Sequence, residues 1–184
     1  MSSAIPLLVA LIAFVVMEPV TSLSHRLVFH GPGTVLHRSH HRPNSRGWEA
    51  NDLFPVVFAG ATITVMAVGA LRPELSILIA IGAGVTAYGA SYLVVHDLYI
   101  HRRLAVLPKR VEWLEPLREA HRIHHLYNAA PYGMLVPVVP AELRRRAATT
   151  SRDPIGSAGP CRAESPATLA AGTAPAGEAT PSTV

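Results

Sequence analysis

The ten histidines of this 184-residue chain are the residues whose type and spacing could do chemistry, and all of them fall between positions 25 and 125. They form two copies of one pattern, H-x4-H followed by H-x2-H-H, first in 25–41 and again in 96–125. Neutral imidazole is a good ligand for iron, zinc, copper and nickel. Because ten imidazoles exceed the needs of one ion, the pattern predicts two metals. The candidate ligands are His25, His30, His37, His40, His41, His96, His101, His121, His124 and His125.

The two spacings place different demands on the backbone. On an α-helix, residues three and four positions apart share one face, so an H-x2-H-H group can direct three imidazoles at one region. Residues five positions apart are separated by about 140° around a regular helix. The two histidines of H-x4-H must therefore approach a centre from different sides, or lie on a π-bulge, a feature often found at functional sites. The spacing alone leaves both arrangements open.

Three apolar runs must position these histidines. They cover residues 5–23, 53–71 and 75–95, with 19, 19 and 21 residues, and a helix of about 20 residues crosses the hydrocarbon of a bilayer. Only three residues, 72–74, separate the second run from the third, which predicts an antiparallel hairpin. The first run has no basic residue before it and contains Glu18, so we interpret it as a retained membrane helix rather than a cleaved signal peptide.

The distribution of basic residues predicts the orientation. Four arginines lie between the first two runs and most of the other basic residues follow the third, whereas Arg72 alone lies in the short turn. By the positive-inside rule, both histidine-bearing segments face the cytoplasm. We therefore predict an all-α, multi-pass protein of the cell membrane, with about three transmembrane helices plus cytoplasmic histidine-bearing helices. Residues 1–146 form the membrane-embedded domain, and 147–184, rich in Ala, Thr, Ser, Pro and Gly, form a disordered tail.

Two carboxylates are candidates to support the metal ligands. A metal-bound imidazole usually donates its other N–H to a carboxylate, a carbonyl or water. Asp97 directly follows His96, and Glu18 lies within an apolar run, where a charge is costly and often functional. Either could instead be an ordinary interfacial charge.

Other function classes are disfavoured by the sequence. The net charge of +4 comes from basic residues that flank apolar runs, which favours a membrane protein over a nucleic-acid-binding one. The single cysteine, Cys161, excludes an iron–sulfur cluster built by one chain. The H-E-x-x-H motif of zinc proteases and the glycine-rich motifs of nucleotide sites are absent. A metal transporter would carry its ligands within the spans, whereas these histidines follow the first and third runs.

Several segments together resemble a known family, the bacterial β-carotene 3-hydroxylases of the fatty acid hydroxylase superfamily. The resemblance covers residues 18–143 and is carried by the segments HRLVFHG, HRSHHRP, NDLF, YGASYLVVHDLYIHRR and AHRIHH. Histidine motifs alone would indicate only the superfamily, which includes lipid and sterol oxygenases. The order of the motifs and the segments between them indicate the carotenoid branch.

The resemblance implies an activity and its cofactors. Members of this family use two irons, O2 and electrons from an external donor such as ferredoxin with its reductase. They hydroxylate the β-ionone rings of β-carotene, through β-cryptoxanthin to zeaxanthin, and would take this substrate from the bilayer. A fatty acyl or sterol hydroxylase or desaturase is the alternative. Arg102, Arg103, Lys109 and Arg110 could contact an acidic electron carrier, although the positive-inside rule alone also accounts for them.

Overall fold

The computed structural model describes residues 4–42 and 47–155, and this part of the chain is built from helices joined by loops. The α-helices are α1 (Ala4–Ser24), α2 (Thr34–His37), α3 (Leu53–Leu71), α4 (Ile77–Tyr92), α5 (Glu115–Tyr127) and α6 (Ala141–Ala148). Two of them continue without a break as π-helices, α1 into His25–Phe29 and α4 into Leu93–Ile100.

Three helical spans are long and apolar enough to cross a membrane. They are Ala4–Phe29, Ala50–Leu71 and Ile77–Ile100, with 26, 22 and 24 residues. The side chains of α1 and α3 are largely exposed in the isolated chain, as expected for helices that contact lipid rather than a protein core. The predicted all-α membrane fold with about three spans is confirmed.

Helix α4 lies at the centre of this bundle and packs against both α1 and α3. The approach to α1 is close, since a Cβ atom added at Gly84 would lie 2.1 Å from the carbonyl oxygen of Ala10. Near the same interface the rings of Phe14 and Tyr88 meet edge to face, with centroids 5.8 Å apart. Small residues at such contacts let helix backbones approach in membranes, where packing rather than the hydrophobic effect drives association.

The short turn between α3 and α4 fixes the direction of the chain. Helix α3 ends at Leu71, one 3-10 turn follows at Pro73–Leu75, and α4 begins at Ile77. The predicted antiparallel hairpin is therefore present. Because α1 and α4 both run away from the turn-bearing end, the histidine segments that follow them lie together at the opposite end of the bundle.

A small core lies beneath this end and holds the loop after the π-helix against α5. Its buried members are Val95, Tyr99, Ile100, Leu114, Met134 and Ile155. The hydroxyl of Tyr99 accepts a hydrogen bond from the N–H of Val111 at 2.9 Å and also contacts Glu115. This core fixes α5, which carries three of the histidines.

The packed part of the chain extends beyond the predicted boundary at residue 146. That boundary falls inside α6, Ala147 is buried, and Ile155 belongs to the core. The guanidinium of Arg122 on α5 donates to the carbonyls of Ala147, Thr150 and Arg152 at 2.9–3.3 Å. Residues 147–155 are therefore part of the fold, and the rest of the predicted tail, with Cys161, lies outside the described residues.

Candidate metal centre

The ten histidines converge at one end of the membrane bundle, and nine of them form two groups. Within each group the available ligand atoms lie within 4.8 Å of one another. The group of five consists of His25, His30, His37, His41 and His124. The group of four consists of His40, His96, His101 and His121.

Each group takes one histidine from the other copy of the repeat. His124, the middle histidine of the second H-x2-H-H, joins the first-copy residues, and His40, its counterpart in the first copy, joins the second-copy residues. The exchange is pseudo-symmetric, because equivalent positions cross over in both directions. The predicted sharing of metals between the two copies therefore has a specific geometric form.

The π-helices explain the H-x4-H spacing. The N–H of His30 donates to the carbonyl of His25 at 3.0 Å, and that of His101 donates to the carbonyl of His96 at 2.9 Å. This i→i+5 bonding widens the turn and brings residues five apart onto one side. The ring centroids of the two pairs are 5.0 and 4.6 Å apart. Of the two arrangements left open by the sequence, the structure has the π-bulge.

The two H-x2-H-H motifs are displayed by different backbones. In the second copy the three histidines lie on the regular helix α5. In the first copy α2 ends at His37, and a turn follows in which the N–H of His40 donates to the carbonyl of His37 at 2.9 Å. This turn separates His40 from its neighbours and directs its ring toward the other group.

The inward-facing nitrogens fit a metal ion better than they fit one another. Five pairs of Nε2 atoms lie 2.9–3.2 Å apart, among them His25 with His37 and His101 with His121. Two nitrogens bound at right angles to one ion, each about 2.1 Å from it, would lie about 3 Å apart. A set of imidazoles with no thiolate suits iron, zinc, copper or nickel.

The outward-facing nitrogens of several ligands have hydrogen-bond acceptors. The Nδ1 atoms of His25 and His124 face the carbonyls of Tyr132 and Ala129 at 3.1 and 2.6 Å. A donor at Nδ1 leaves Nε2 free of its proton and fixes the ring orientation. These loop carbonyls were not predicted, because every residue carries a carbonyl and its sequence gives no signal.

Two further acceptors are on side chains. His37 Nδ1 lies 2.7 Å from Asn51 Oδ1, and His40 Nδ1 lies 3.1 Å from Glu49 Oε2. Asn51 and Glu49 were also missed, although their signal was available as polar residues just before an apolar run in the same loop as the first histidines.

The two predicted carboxylates have different positions. Asp97 Oδ1 lies 3.4 Å from His96 Nδ1, beside the imidazole that it was predicted to support, but this nitrogen makes no hydrogen bond among the described residues. Glu18 instead accepts hydrogen bonds from backbone N–H groups of the loop after α5 and from the hydroxyl of Tyr88. The hydrogen bonds described for Glu18 therefore reach the loop rather than an imidazole.

Arg103 joins the carboxylates around the group of four. Its guanidinium donates to both oxygens of Asp52 at 2.6 and 2.7 Å, to Asp97 at 3.3 Å and to the carbonyl of Gly47. A partly buried guanidinium with this many acceptors holds the loop before α3 against the π-helix after α4. Hydrogen bonding to Asp52 raises the pKa of Arg103, so its charge is constant.

Three of the candidate ligands lie outside the membrane spans, and burial keeps their imidazoles in the neutral form. It lowers the pKa of His37 to about 4, that of His124 to about 3 and that of His41 to about 2. Neighbouring imidazoles lower these values further, because two cations this close repel each other. Neutral imidazole is the form that binds metals.

His125 stands between the groups. Its ring stacks on His41 with centroids 4.3 Å apart and lies 4.5 Å from the ring of His121. Its Nε2 is buried with no hydrogen-bond partner among the described residues. His125 is the repeat counterpart of His41, and an unpartnered buried nitrogen at this place fits a fifth donor for the group of four.

The fold and site together define an integral-membrane protein with histidine clusters that could hold metal at one end of a three-helix bundle. The fatty acid hydroxylase family model matches residues 10–140, and the chain belongs to this family.

The chain is also similar to individual carotenoid enzymes. It is 37% identical over 143 residues to a beta-carotene hydroxylase of Pseudescherichia vulneris, covering 74% of this chain and 80% of that protein. It is 41% identical over 121 residues to a beta-carotene hydroxylase of Pantoea ananas, covering 63% and 67%. A chloroplastic beta-carotene 3-hydroxylase 1 of Arabidopsis thaliana is 34% identical over 129 residues, which cover 67% of this chain and 42% of that protein. No solved structure matches the chain.

Proposed function

We propose that this protein is a β-carotene 3-hydroxylase, an O2-dependent oxidoreductase that hydroxylates the β-ionone rings of β-carotene to give β-cryptoxanthin and then zeaxanthin. The observation that carries the proposal is the pair of histidine groups at the end of an apolar membrane bundle. Similarity to hydroxylases that bear this name in bacteria and plants supports the substrate.

The proposed metals are two iron ions, one in each histidine group. Bound iron supplies the oxidising power that an unactivated C–H bond requires. The chain itself holds the imidazoles neutral by burial and orients two of them through the carbonyls of Ala129 and Tyr132. It orients others through Glu49 and Asn51.

A membrane site suits this substrate. β-Carotene is a hydrocarbon and dissolves in the bilayer, so it can reach the centre laterally between lipid and protein. Residues of the π-helix after α4, including Tyr99 and Ile100, are buried beside the histidines and keep water from this side of the centre. Tyr92 lies over the ring of His96, with centroids 4.8 Å apart.

The source of the electrons is a further part of the proposal. We propose that a second protein, a ferredoxin-type donor with its reductase, docks on the end of the bundle that bears the histidines. Arg102, Lys109 and Arg110 lie on this end, and Lys109 and Arg110 are exposed. We propose that this end faces the cytoplasm of the cell that carries the protein.

Pigment analysis tests the activity. Expressed in a host that accumulates β-carotene, the protein should yield mono- and dihydroxylated products that comigrate with β-cryptoxanthin and zeaxanthin. Unchanged carotene, together with hydroxylated or desaturated fatty acids or sterols, would favour the alternative substrate class. Replacing iron by zinc in the purified protein tests the cofactor. Because zinc has no redox chemistry, the zinc-loaded protein should be inactive where the iron-loaded protein is active.

A further inference from the structure

Glu18 is a carboxylate at membrane depth. It precedes Ser24, the last residue of α1, by six residues, which places it about 9 Å along the helix axis from that end at 1.5 Å per residue. A carboxylate in this position is costly unless its oxygens are bound within the protein. Its partners therefore indicate what the residue is for.

Four donors surround the carboxylate. Oε1 accepts hydrogen bonds from the N–H groups of Met134 and Val136, each at 2.9 Å. Oε2 accepts one from the N–H of Leu135 at 3.1 Å and one from the hydroxyl of Tyr88 at 2.7 Å. An ionised carboxylate only accepts hydrogen bonds, and four donors on two oxygens fill its capacity.

The three backbone donors belong to the α5–α6 loop, residues 128–140. Irregular backbone at membrane depth is tolerated only where its polar groups are satisfied within the protein or line a cavity. Three prolines, Pro131, Pro137 and Pro140, have no N–H to satisfy. Glu18 binds three more N–H groups, so six of the thirteen loop residues present no free backbone donor.

The outer side of the same loop is apolar. The side chains of Val136 and Val138 are 71% and 81% exposed in the isolated chain, and the N–H of Val136 is one of the donors to Glu18. Valine side chains that are exposed beside a membrane helix are favourable there when they contact lipid rather than water. The loop therefore lies against α1 with an apolar outer side that suits contact with lipid.

The inner side of the loop supports two metal ligands. The carbonyl of Ala129 accepts from His124 and the carbonyl of Tyr132 accepts from His25. Both histidines belong to the group of five. The carboxylates nearest the imidazoles of the group of four come from other parts of the chain: Glu49 bonds to His40, and Asp97 lies 3.4 Å from His96.

We propose that Glu18 is a positioning residue for the group of five. It holds the α5–α6 loop at membrane depth, and the loop carbonyls in turn orient His25 and His124. The inference rests on the proposed metal centre. It adds that binding of the group-of-five metal depends on Glu18, although Glu18 contacts neither metal group, and that binding of the other metal does not.

Gly133 shows how closely the loop fits the carboxylate. A Cβ atom at this position would lie 2.6 Å from Glu18 Oε1, closer than real Cβ contacts. A side chain here must displace the carboxylate or the loop. Gly133→Ala is therefore a second route to the same disruption, with Glu18 itself intact.

Metal stoichiometry of the purified full-length protein in lipid nanodiscs is the first test. With Fe(II) added anaerobically, wild-type protein should bind about two ions. Glu18→Ala and Gly133→Ala should each bind the group-of-five ion about 10–100-fold more weakly than wild type and bind the other ion as tightly as wild type does. Glu18→Gln should be intermediate, because its amide keeps one acceptor oxygen. Matched controls are Glu74→Gln in the exposed turn and Gly89→Ala, where an added Cβ meets nothing within 4 Å.

A metal-free measurement of the loop is the second test. In a Cys161→Ser background, a polarity-sensitive fluorophore on Val136→Cys should report an apolar environment, and adding Glu18→Ala, Glu18→Gln or Gly133→Ala should shift its emission toward that of water. Two tightly bound ions in Glu18→Ala, an equal loss of both ions, or an unmoved label in all three variants would overturn the proposal. Failure of wild-type protein to bind iron would defeat the proposed function instead, and the label would still test the loop.

Discussion

The carbonyl oxygen of His25 accepts a hydrogen bond from the N–H of His30, five residues later, at 3.0 Å, and this bond brings both imidazoles into one group. The same relationship joins His96 to His101 at 2.9 Å. The H-x4-H motif can direct both rings at one place because the helix widens at that point, whereas a regular helix would turn the two rings about 140° apart.

Lengthening the first motif tests this dependence. Inserting an alanine after Leu27 gives H-x5-H, which would leave the two rings about 120° apart on a regular helix and which an i→i+5 turn does not realign. We expect the group-of-five metal to be lost while the group of four keeps its ion, as measured by iron content. Leu27→Ala is the control, because this exposed side chain contributes little and both ions should remain. Retention of two ions by the insertion variant would contradict the interpretation.

The exchange of His40 and His124 predicts which metal each variant loses. His40→Ala should remove the group-of-four ion and His124→Ala the group-of-five ion, and each should abolish hydroxylation. Adding His96→Ala to His40→Ala should cost little more, since both belong to one group, whereas adding His25→Ala should remove the second ion as well. Double-mutant cycles on metal affinity measure this coupling. Strong coupling between His40 and His25, with none to His96, would reverse the assignment.

Arg103 should be more important than its neighbour of the same charge. Arg103→Lys replaces a fork that binds Asp52 through two nitrogens by a single ammonium, which is not a conservative change. We expect metal affinity in the group of four to fall by about 10–100-fold. Arg102→Lys, whose native guanidinium donates to loop carbonyls, is the control and should retain both ions. Equal effects of the two changes would show that charge alone matters.

Two truncations should differ sharply. Ending the chain after Ile155 keeps the described fold and should leave hydroxylase activity nearly unchanged. Ending it after Arg146 removes three carbonyl partners of Arg122 and the buried Ile155, at about 1–3 kcal/mol for each buried polar group left unsatisfied. Thermal stability should fall, and metal should be lost with it because α5 carries three histidines. Equal melting temperatures for the two truncated proteins would contradict this.

The orientation in the membrane has its own test. A reporter inserted in the turn at 72–74 should be active outside the cytoplasm, and one fused after Ile155 should be active inside, because basic residues are concentrated at the histidine end. Charge reversal of Arg72 leaves that concentration in place and should not change the result. The opposite pattern of reporter activity would place the electron donor outside.

The sequence predicts the features that depend on composition and period. Hydropathy located the three spans, the three residues 72–74 required a hairpin, and the repeated histidines predicted a shared centre. The remaining features depend on contacts between distant segments. The support of His124 by the Ala129 carbonyl comes from backbone common to all residues, and the contact of Glu18 with Met134 joins positions that no local pattern relates.

The crossed membership of the two histidine groups also has a consequence for folding. Any ion bound by His25 and His124, or by His40 and His96, closes a long loop between the N-terminal and C-terminal parts of the chain. Each ion would thus act as a reversible cross-link, and its contribution to the free energy of unfolding would grow with the free metal concentration according to mass action. Chelation should therefore destabilise the whole fold as well as abolish activity. In a cell short of metal, proteases would then degrade the protein as its activity is lost.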